Sequence, residues 1–310
     1  MTRKVEKKNG RATRRGLVLS GGGALGAFQA GALKAIRENG IEFQVIAATS
    51  IGLLHALAWN REDMVLSLDD RWREDAARMN PFDLRRVLRL KNPFTFRASL
   101  DELFDRYRTT QPSPDAYGQT PIIVSLTEAA TGRNVAFSLA APDLLLSDKE
   151  NICKASTIIP LLGDDPIEIQ GKRYYDGGFS NNLPVDYLEE LDLDEIWAIA
   201  VTPPRTKKPW HGPLWRRAIE KREMSENPWM LGAASLAAQF FSPVYTIASK
   251  KKLVMIRPDP GGSYRLSRLY RALTFSPKEI DALLALGYRR GRQVCQDYLS
   301  RSSPASVRVP

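Results

Sequence analysis

Short apolar runs alternate with segments of helical length over residues 16–202. Residues 16–20 read as a buried parallel strand, because no polar position interrupts Leu17-Val18-Leu19. Residues 27–38 follow with helical spacing and stop at Asn39-Gly40. Residues 43–49 form a second expected strand, and residues 51–59 an apolar helix of the kind buried against a sheet. Residues 61–79 read as helical and charged. Strands are expected at 122–126 and 135–139, joined across Ala130-Thr131-Gly132-Arg133. Residues 144–156 read as a helix. Residues 167–169 and 173–175 read as a hairpin over Gln170-Gly171-Lys172. Pro184 opens a short helix, and 195–201 is another apolar strand. Apolar strands separated by helices imply a mostly parallel sheet covered on both faces. The expected fold is a three-layer α/β/α arrangement with a C-terminal helical extension.

Composition shifts at Pro203-Pro204. Residues 205–222 then combine Trp210 and Trp215 with seven Lys and Arg against Glu220. Beyond them come an apolar helix-like stretch at 229–248, a strand at 253–256 and a final helix at 277–299. The chain therefore divides into a basic disordered tail (1–15), a core domain (16–202) and a segment (203–310) packing on that same domain. Residues 82–97 mix apolar and basic positions around Pro93 and read as surface or as a cap over a site.

The net charge is +10. Residues 1–15 hold seven Lys and Arg against Glu6, more than half of that excess. Such a tail serves as a solubilising arm or is drawn to anionic lipid. Nucleic acid attracts the same charge, but no zinc-finger spacing, RNP-like aromatics or helix-turn-helix accompany it, so nucleic-acid binding is not expected. Amphipathic Trp beside cations in 205–222 suits a lipid headgroup boundary, or an exposed basic loop with inward tryptophans. No apolar run is long enough for a transmembrane helix, and the N-terminus lacks the apolar stretch of a secretory signal. A cytoplasmic protein, peripheral to a membrane at most, is the expectation. Cys153 and Cys295 stand alone and read as reduced packing residues.

The chemistry concentrates in three places. Gly21, Gly23 and Gly26 fit G-x-G-x-x-G between a strand and a helix. Exposed N–H groups there suit either a pyrophosphate or the oxyanion of a tetrahedral intermediate. The next strand ends in Ala48-Thr49-Ser50-Ile51-Gly52 without the carboxylate that a nucleotide fold uses for ribose. No Lys-Ser/Thr pair follows the glycines either, so the oxyanion reading prevails. Ser50 sits in a variant of G-x-S-x-G, with Ala48 at the first glycine. This pattern turns a hydroxyl outward at a strand–helix elbow; alternatively, the serine caps the helix. Of the two histidines, His55 should point away from that hydroxyl and His211 lies in a basic loop, so neither suits as its base. Asp176-Gly177-Gly178 supplies a carboxylate at a strand end, or an ordinary Asp-Gly turn. A free Asp is too acidic for a base at pH 7, but burial raises its pKa. Asp164-Asp165 and Asp192-Asp194-Glu195 lack an EF-hand pattern and read as solvated loops.

At these residues the chain resembles the patatin-like phospholipases. The matches are Gly21-Gly22-Gly23-Ala24-Leu25-Gly26, Thr49-Ser50-Ile51-Gly52, Ala155-Ser156-Thr157 with Pro160, and Asp176-Gly177-Gly178 with Asn182 and Pro184. The resemblance implies a lipid acyl hydrolase with Ser50 as nucleophile and Asp176 as base. It also implies an oxyanion hole at the N–H groups of Gly22 and Gly23, an acyl-ester substrate, and neither cofactor nor metal. Leu25 departs from the Arg or Lys of many members, and Ala48 from their glycine. An acyltransferase and a noncatalytic lipid-binding protein are the alternatives on the same fold.

Overall fold

The computed structural model describes residues 7–8, 11–78, 119–158, 165–201, 249–258 and 275–302. Its main sheet comprises β1 (Arg15–Leu19), β2 (Val45–Ala48), β3 (Ile122–Glu128), β4 (Asn134–Ser138), β5 (Ile167–Ile169), β6 (Lys172–Asp176), β7 (Glu195–Ile199) and β8 (Lys252–Ile256). The helices are α1 (Gly26–Glu38), α2 (Ile51–Trp59), α3 (Glu62–Leu66), α4 (Leu68–Arg78), α5 (Leu146–Ala155), α6 (Asp186–Glu189) and α7 (Pro277–Ser302). Strand order is β8-β7-β1-β2-β3-β6-β5, with β4 also on β3. The five strands from β8 to β3 run parallel, whereas β4 and β6 are antiparallel to β3, and β5 to β6. The mostly parallel α/β architecture expected from the chain is what forms.

Alternation along the strands sorts the core into two layers, because successive side chains leave a strand on opposite faces. Leu17, Leu19, Trp197 and Ile199 join α1, α2, α4 and α7 in the larger apolar cluster. Val18, Ile196 and Ala198 join Leu183, Val185 and Leu188, around α6, in the other. α7 seats tightly on α1: a Cβ at Gly287 would lie 1.9 Å from the Phe28 carbonyl oxygen, so only glycine permits that approach.

One edge of β3 positions the site. Ala48 at the end of β2 pairs with Val124, and Asp176 at the end of β6 pairs with Leu126. β4 takes the opposite edge, pairing with both halves of β3. Because β2 is parallel and β6 antiparallel to β3, their C-terminal ends meet nose to nose beside Ser125.

Two expectations change. The basic tail does not extend to residue 15: Arg15 begins β1 and is buried, while Lys7–Lys8 pairs antiparallel with Arg11–Ala12. A buried guanidinium needs a partner, and Arg15 Nε finds Glu195 Oε1 at 2.8 Å. Accordingly, of the acidic run only Asp192 stays in a solvated loop, while Asp194 and Glu195 are withdrawn from solvent. Asp192 pairs with Arg14, and Asp194 accepts from the Arg14 N–H at 2.9 Å. Glu195 accepts from Trp197 Nε1 at 3.2 Å, lies 3.0 Å from Lys252 Nζ, and takes the Tyr298 hydroxyl of α7. Burial alone would raise the Glu195 carboxyl, but these donors hold it below its ordinary value. The readings at 82–97, 205–222 and 229–248, with His211, Pro160 and Asp164, lie outside the described residues. Among the described residues, no helix is long and apolar enough to cross a membrane. Cys153 and Cys295 are buried and free.

Candidate active site

The glycine loop leaves β1 and is held from two sides. The Gly21 N–H donates to the Asn182 carbonyl at 3.2 Å, and Asn182 Nδ2 donates back to the Gly21 carbonyl at 3.3 Å. Gly21 thus spends its donor on the loop after Asp176 and has none left for a ligand. The Gly22 and Gly23 N–H groups make no hydrogen bond among the described residues. Gly22 instead receives the Leu25 N–H at its carbonyl, at 3.1 Å. A single 3-10 turn, Gly23–Leu25, leads into α1. Gly26 opens that helix, packed against Ile51 and Trp72.

Ala48 ends β2 fully buried, Thr49 follows fully buried, and Ser50 occupies the cap position of α2. Its φ of 55° and ψ of −128° lie outside helix and strand, a sparsely populated conformation for a residue with a Cβ. Its side chain makes no capping bond. The side chain instead faces the Asp176 carboxylate, where its hydroxyl favours the charged form. The elbow is tight because the Gly52 N–H donates to the Thr49 carbonyl at 2.9 Å. Ile51 begins α2, and a Cβ at Gly52 would stand 2.6 Å from the Leu19 carbonyl oxygen.

Asp176 ends β6 at 2% exposure. Burial pushes its carboxyl from 3.8 up to about 7, while the Ser50 hydroxyl and the Gly178 N–H pull the other way. That N–H donates to Asp176 Oδ1 at 2.7 Å. Gly177 lets the chain turn flush against β3, since a Cβ there would lie 2.1 Å from the Ser125 carbonyl oxygen.

The structure therefore brings Ser50 and Asp176 together, with the glycine loop alongside: a Cβ at Gly21 would lie 3.0 Å from Ser50 Cβ. Sequence reasoning missed the hydroxyls that fasten them. Thr49 Oγ1 and Ser125 Oγ each donate to the Asn181 carbonyl at 3.1 Å. Thr127 Oγ1 donates to the Asp176 carbonyl at 2.9 Å, and Asn134 Nδ2 donates to Ser125 Oγ at 2.9 Å. The available signal was a pair of hydroxyls, Ser125 and Thr127, two apart on either side of Leu126 in β3.

His55 stands apart, as expected. Its ring is fully buried. Nε2 accepts from Trp72 Nε1 at 3.0 Å, which leaves Nδ1 to donate to Gln29 Oε1 at 2.7 Å. Burial lowers its pKa to about 3, so the ring is neutral at pH 7. Gln29 Nε2 in turn reaches the carbonyls of Ser20 and Ile199 at 3.3 and 3.4 Å, bracing the strand ends below the glycine loop.

A serine on a strained strand–helix elbow, facing a buried carboxylate in a mostly parallel sheet, defines a recognisable class of α/β site. The family model for patatin-like phospholipases matches residues 17–189, more than half of the chain, and the chain belongs to that family. The neuropathy target esterase sws of Drosophila melanogaster is 30% identical over 192 residues, which cover 60% of this chain and 13% of that protein. Lysophospholipase nte1 of Aspergillus niger is 30% identical over 188 residues, 60% of this chain and 12% of that protein. The chain thus matches only a small part of the length of these curated relatives. Among solved structures, VipD from Legionella pneumophila aligns with a TM-score of 0.44 and 15% identity, over 91% of this chain and 69% of that one. Human GIVD cytosolic phospholipase A2 aligns with a TM-score of 0.44 and 14% identity, over 94% and 59%.

Proposed function

We propose that the chain is a lipid acyl-ester hydrolase working through Ser50 and Asp176. The observation that carries this reading is the Ser50 hydroxyl facing a buried carboxylate whose pKa is pushed up to about 7, with the glycine loop packed against Ser50 at Gly21. A carboxyl tuned to that value serves as base above it and as acid once protonated.

The steps follow from the atoms present. Ser50 Oγ attacks the ester carbonyl carbon while its proton passes to Asp176. The carbonyl oxygen gathers negative charge, which the Gly22 and Gly23 N–H groups hold on this reading. One such donor typically contributes about 3–4 kcal/mol to the transition state. Collapse breaks the ester bond, Asp176 returns the proton to the departing alcohol, and an acyl-Ser50 ester remains. Asp176 then takes a proton from water, whose oxygen attacks the acyl carbon. The fatty acid leaves as Ser50 recovers its proton. No residue in this sequence of steps requires a metal or an organic cofactor.

Relatives named lysophospholipase and esterase favour a phospholipid with an accessible acyl ester as the substrate. The basic, Trp-bearing residues 205–222 fit a role at an anionic bilayer, tested by liposome co-sedimentation with both tryptophans replaced by alanine. The central experiment is fluorophosphonate labelling of wild type, Ser50→Ala and Asp176→Asn, with an acyl-ester panel of varied chain length. Labelling and hydrolysis in wild type alone are expected. A folded wild type that neither labels nor hydrolyses any ester would leave a noncatalytic lipid-binding protein. Acyl release that favours glycerol over water would mark an acyltransferase.

A further inference from the structure

We infer that the turn formed by residues 155–158 sets the spacing between Ser50 and Asp176, with Ser156 as the positioning residue. Ser156 Oγ accepts the Ser50 N–H at 3.1 Å, and the Ile158 carbonyl, two residues on, accepts the Asp176 N–H at 3.2 Å. A single turn therefore grips both partners by their backbones. The inference rests on the hydrolase reading and adds to it the device that holds its two groups in register.

Backbone geometry makes that grip necessary. With φ at 55°, Ser50 belongs neither to the β2 ladder nor to α2, so its N–H has no partner in either element. Buried backbone donors are nearly always paired, and Ser156 supplies the acceptor. Among the described residues, only Gln170 shares a positive φ without being glycine, and it lies exposed in the hairpin between β5 and β6. The strained position is thus the one to which a fully buried hydroxyl has been brought.

The turn is stiff enough for the task. Ser156 caps α5, its own N–H donating to the Ile152 carbonyl at 3.0 Å. The Thr157 N–H and Oγ1 both donate to the Lys154 carbonyl, at 3.1 and 2.9 Å. The Ile158 N–H donates to the Ala155 carbonyl at 3.1 Å. At its other side α5 is tied to β5, where Asn151 Nδ2 donates to the Glu168 carbonyl at 3.1 Å. Among the described residues Ser156 makes no hydrogen bond to the attacking oxygen or the carboxylate; it acts through the Ser50 backbone.

The test compares wild type, Ser156→Ala and Ser156→Thr in fluorophosphonate labelling, in kcat and KM on an acyl ester, in pH profile and in thermal melting. Ser156→Ala is expected to lower kcat and the labelling rate about 10- to 100-fold with KM nearly unchanged, the pattern of misplaced reacting groups. Its pH midpoint should move up, because a displaced Ser50 hydroxyl no longer stabilises the Asp176 charge. Ser156→Thr keeps the oxygen and should restore most of the rate. A labelled, active wild type with Ser156→Ala unchanged in rate and midpoint overturns the inference and leaves the hydrolase reading intact. So does a loss confined to melting temperature with the rate per folded molecule unchanged. A folded wild type that neither labels nor hydrolyses overturns the hydrolase reading, and the inference falls with it. If Ser156→Ala does not fold, Ser156→Cys, close in size with a weak sulfur acceptor, is judged by the same criteria.

Discussion

Replacing Asp176 by Asn should abolish turnover and stabilise the fold, by an amount that grows with pH. The carboxyl is buried at 2% exposure, and its pKa stands at about 7 against 3.8 for a free side chain. Between those values the folded protein holds a proton that the unfolded chain has released. Stability of wild type therefore falls as pH rises from about 4 to about 7 and levels off above. At about 1.4 kcal/mol per pH unit, the full penalty approaches about 4 kcal/mol. Asn carries no charge to bury. Its carbonyl oxygen can still accept the Gly178 N–H, and its amide can donate to Ser50 Oγ. Asp176→Asn should thus melt close to wild type at pH 4 and well above it at pH 8. At roughly 2 °C per kcal/mol for a chain of this size, the gap at pH 8 should approach about 8 °C. Thermal unfolding of both proteins across pH 4–8.5, followed by circular dichroism, measures the difference. A gap that stays constant with pH, or a variant less stable than wild type at pH 8, would refute the raised carboxyl and the role built on it.

Other expectations follow from the same contacts. kcat/KM should rise with pH to a plateau above about 7, because only ionised Asp176 accepts the Ser50 proton; a rate already flat from pH 5 would contradict this. Gly177→Ala places a Cβ 2.1 Å from a main-chain oxygen of β3 and should lower both the melting temperature and fluorophosphonate labelling; by overpacking, the loss should reach about 3 kcal/mol. His55→Leu strands the Gln29 amide oxygen and the Trp72 indole N–H, which at about 1–3 kcal/mol each should shift the denaturant midpoint strongly. The surviving folded enzyme should keep its pH midpoint. Glu195→Ala leaves Arg15 buried without its carboxylate and should cost about 3–5 kcal/mol in the same assay, with little change in kcat.

Much of the architecture could be read from the residues, because parallel strands buried on both faces appear as unbroken apolar runs. The helix at Ile51–Trp59 coincides with its expected limits, and the final helix starts at Pro277 as anticipated. β6 extends one residue beyond its expected end, to Asp176, because ladder pairing with Leu126 carries the carboxylate into the sheet. No local pattern announces that pairing. The misassignments share a cause. Arg15 and Glu195 read as surface charges, yet they satisfy each other 180 residues apart and are buried together. Likewise, Gly21 looked like one more anion donor until Asn182, far along the chain, claimed its N–H. Long-range partners decide such cases, and a single sequence read locally does not contain them.

Sharing one edge of β3 makes that strand a ruler for the whole arrangement. The distance between alcohol and carboxylate is indexed by rungs of a ladder and owes nothing to the length of chain that separates them. The spacing of the pair holds as long as the three strands keep their register. Slippage of β6 by a single rung, about 3.3 Å, would carry the acid out of reach and turn it to the opposite face.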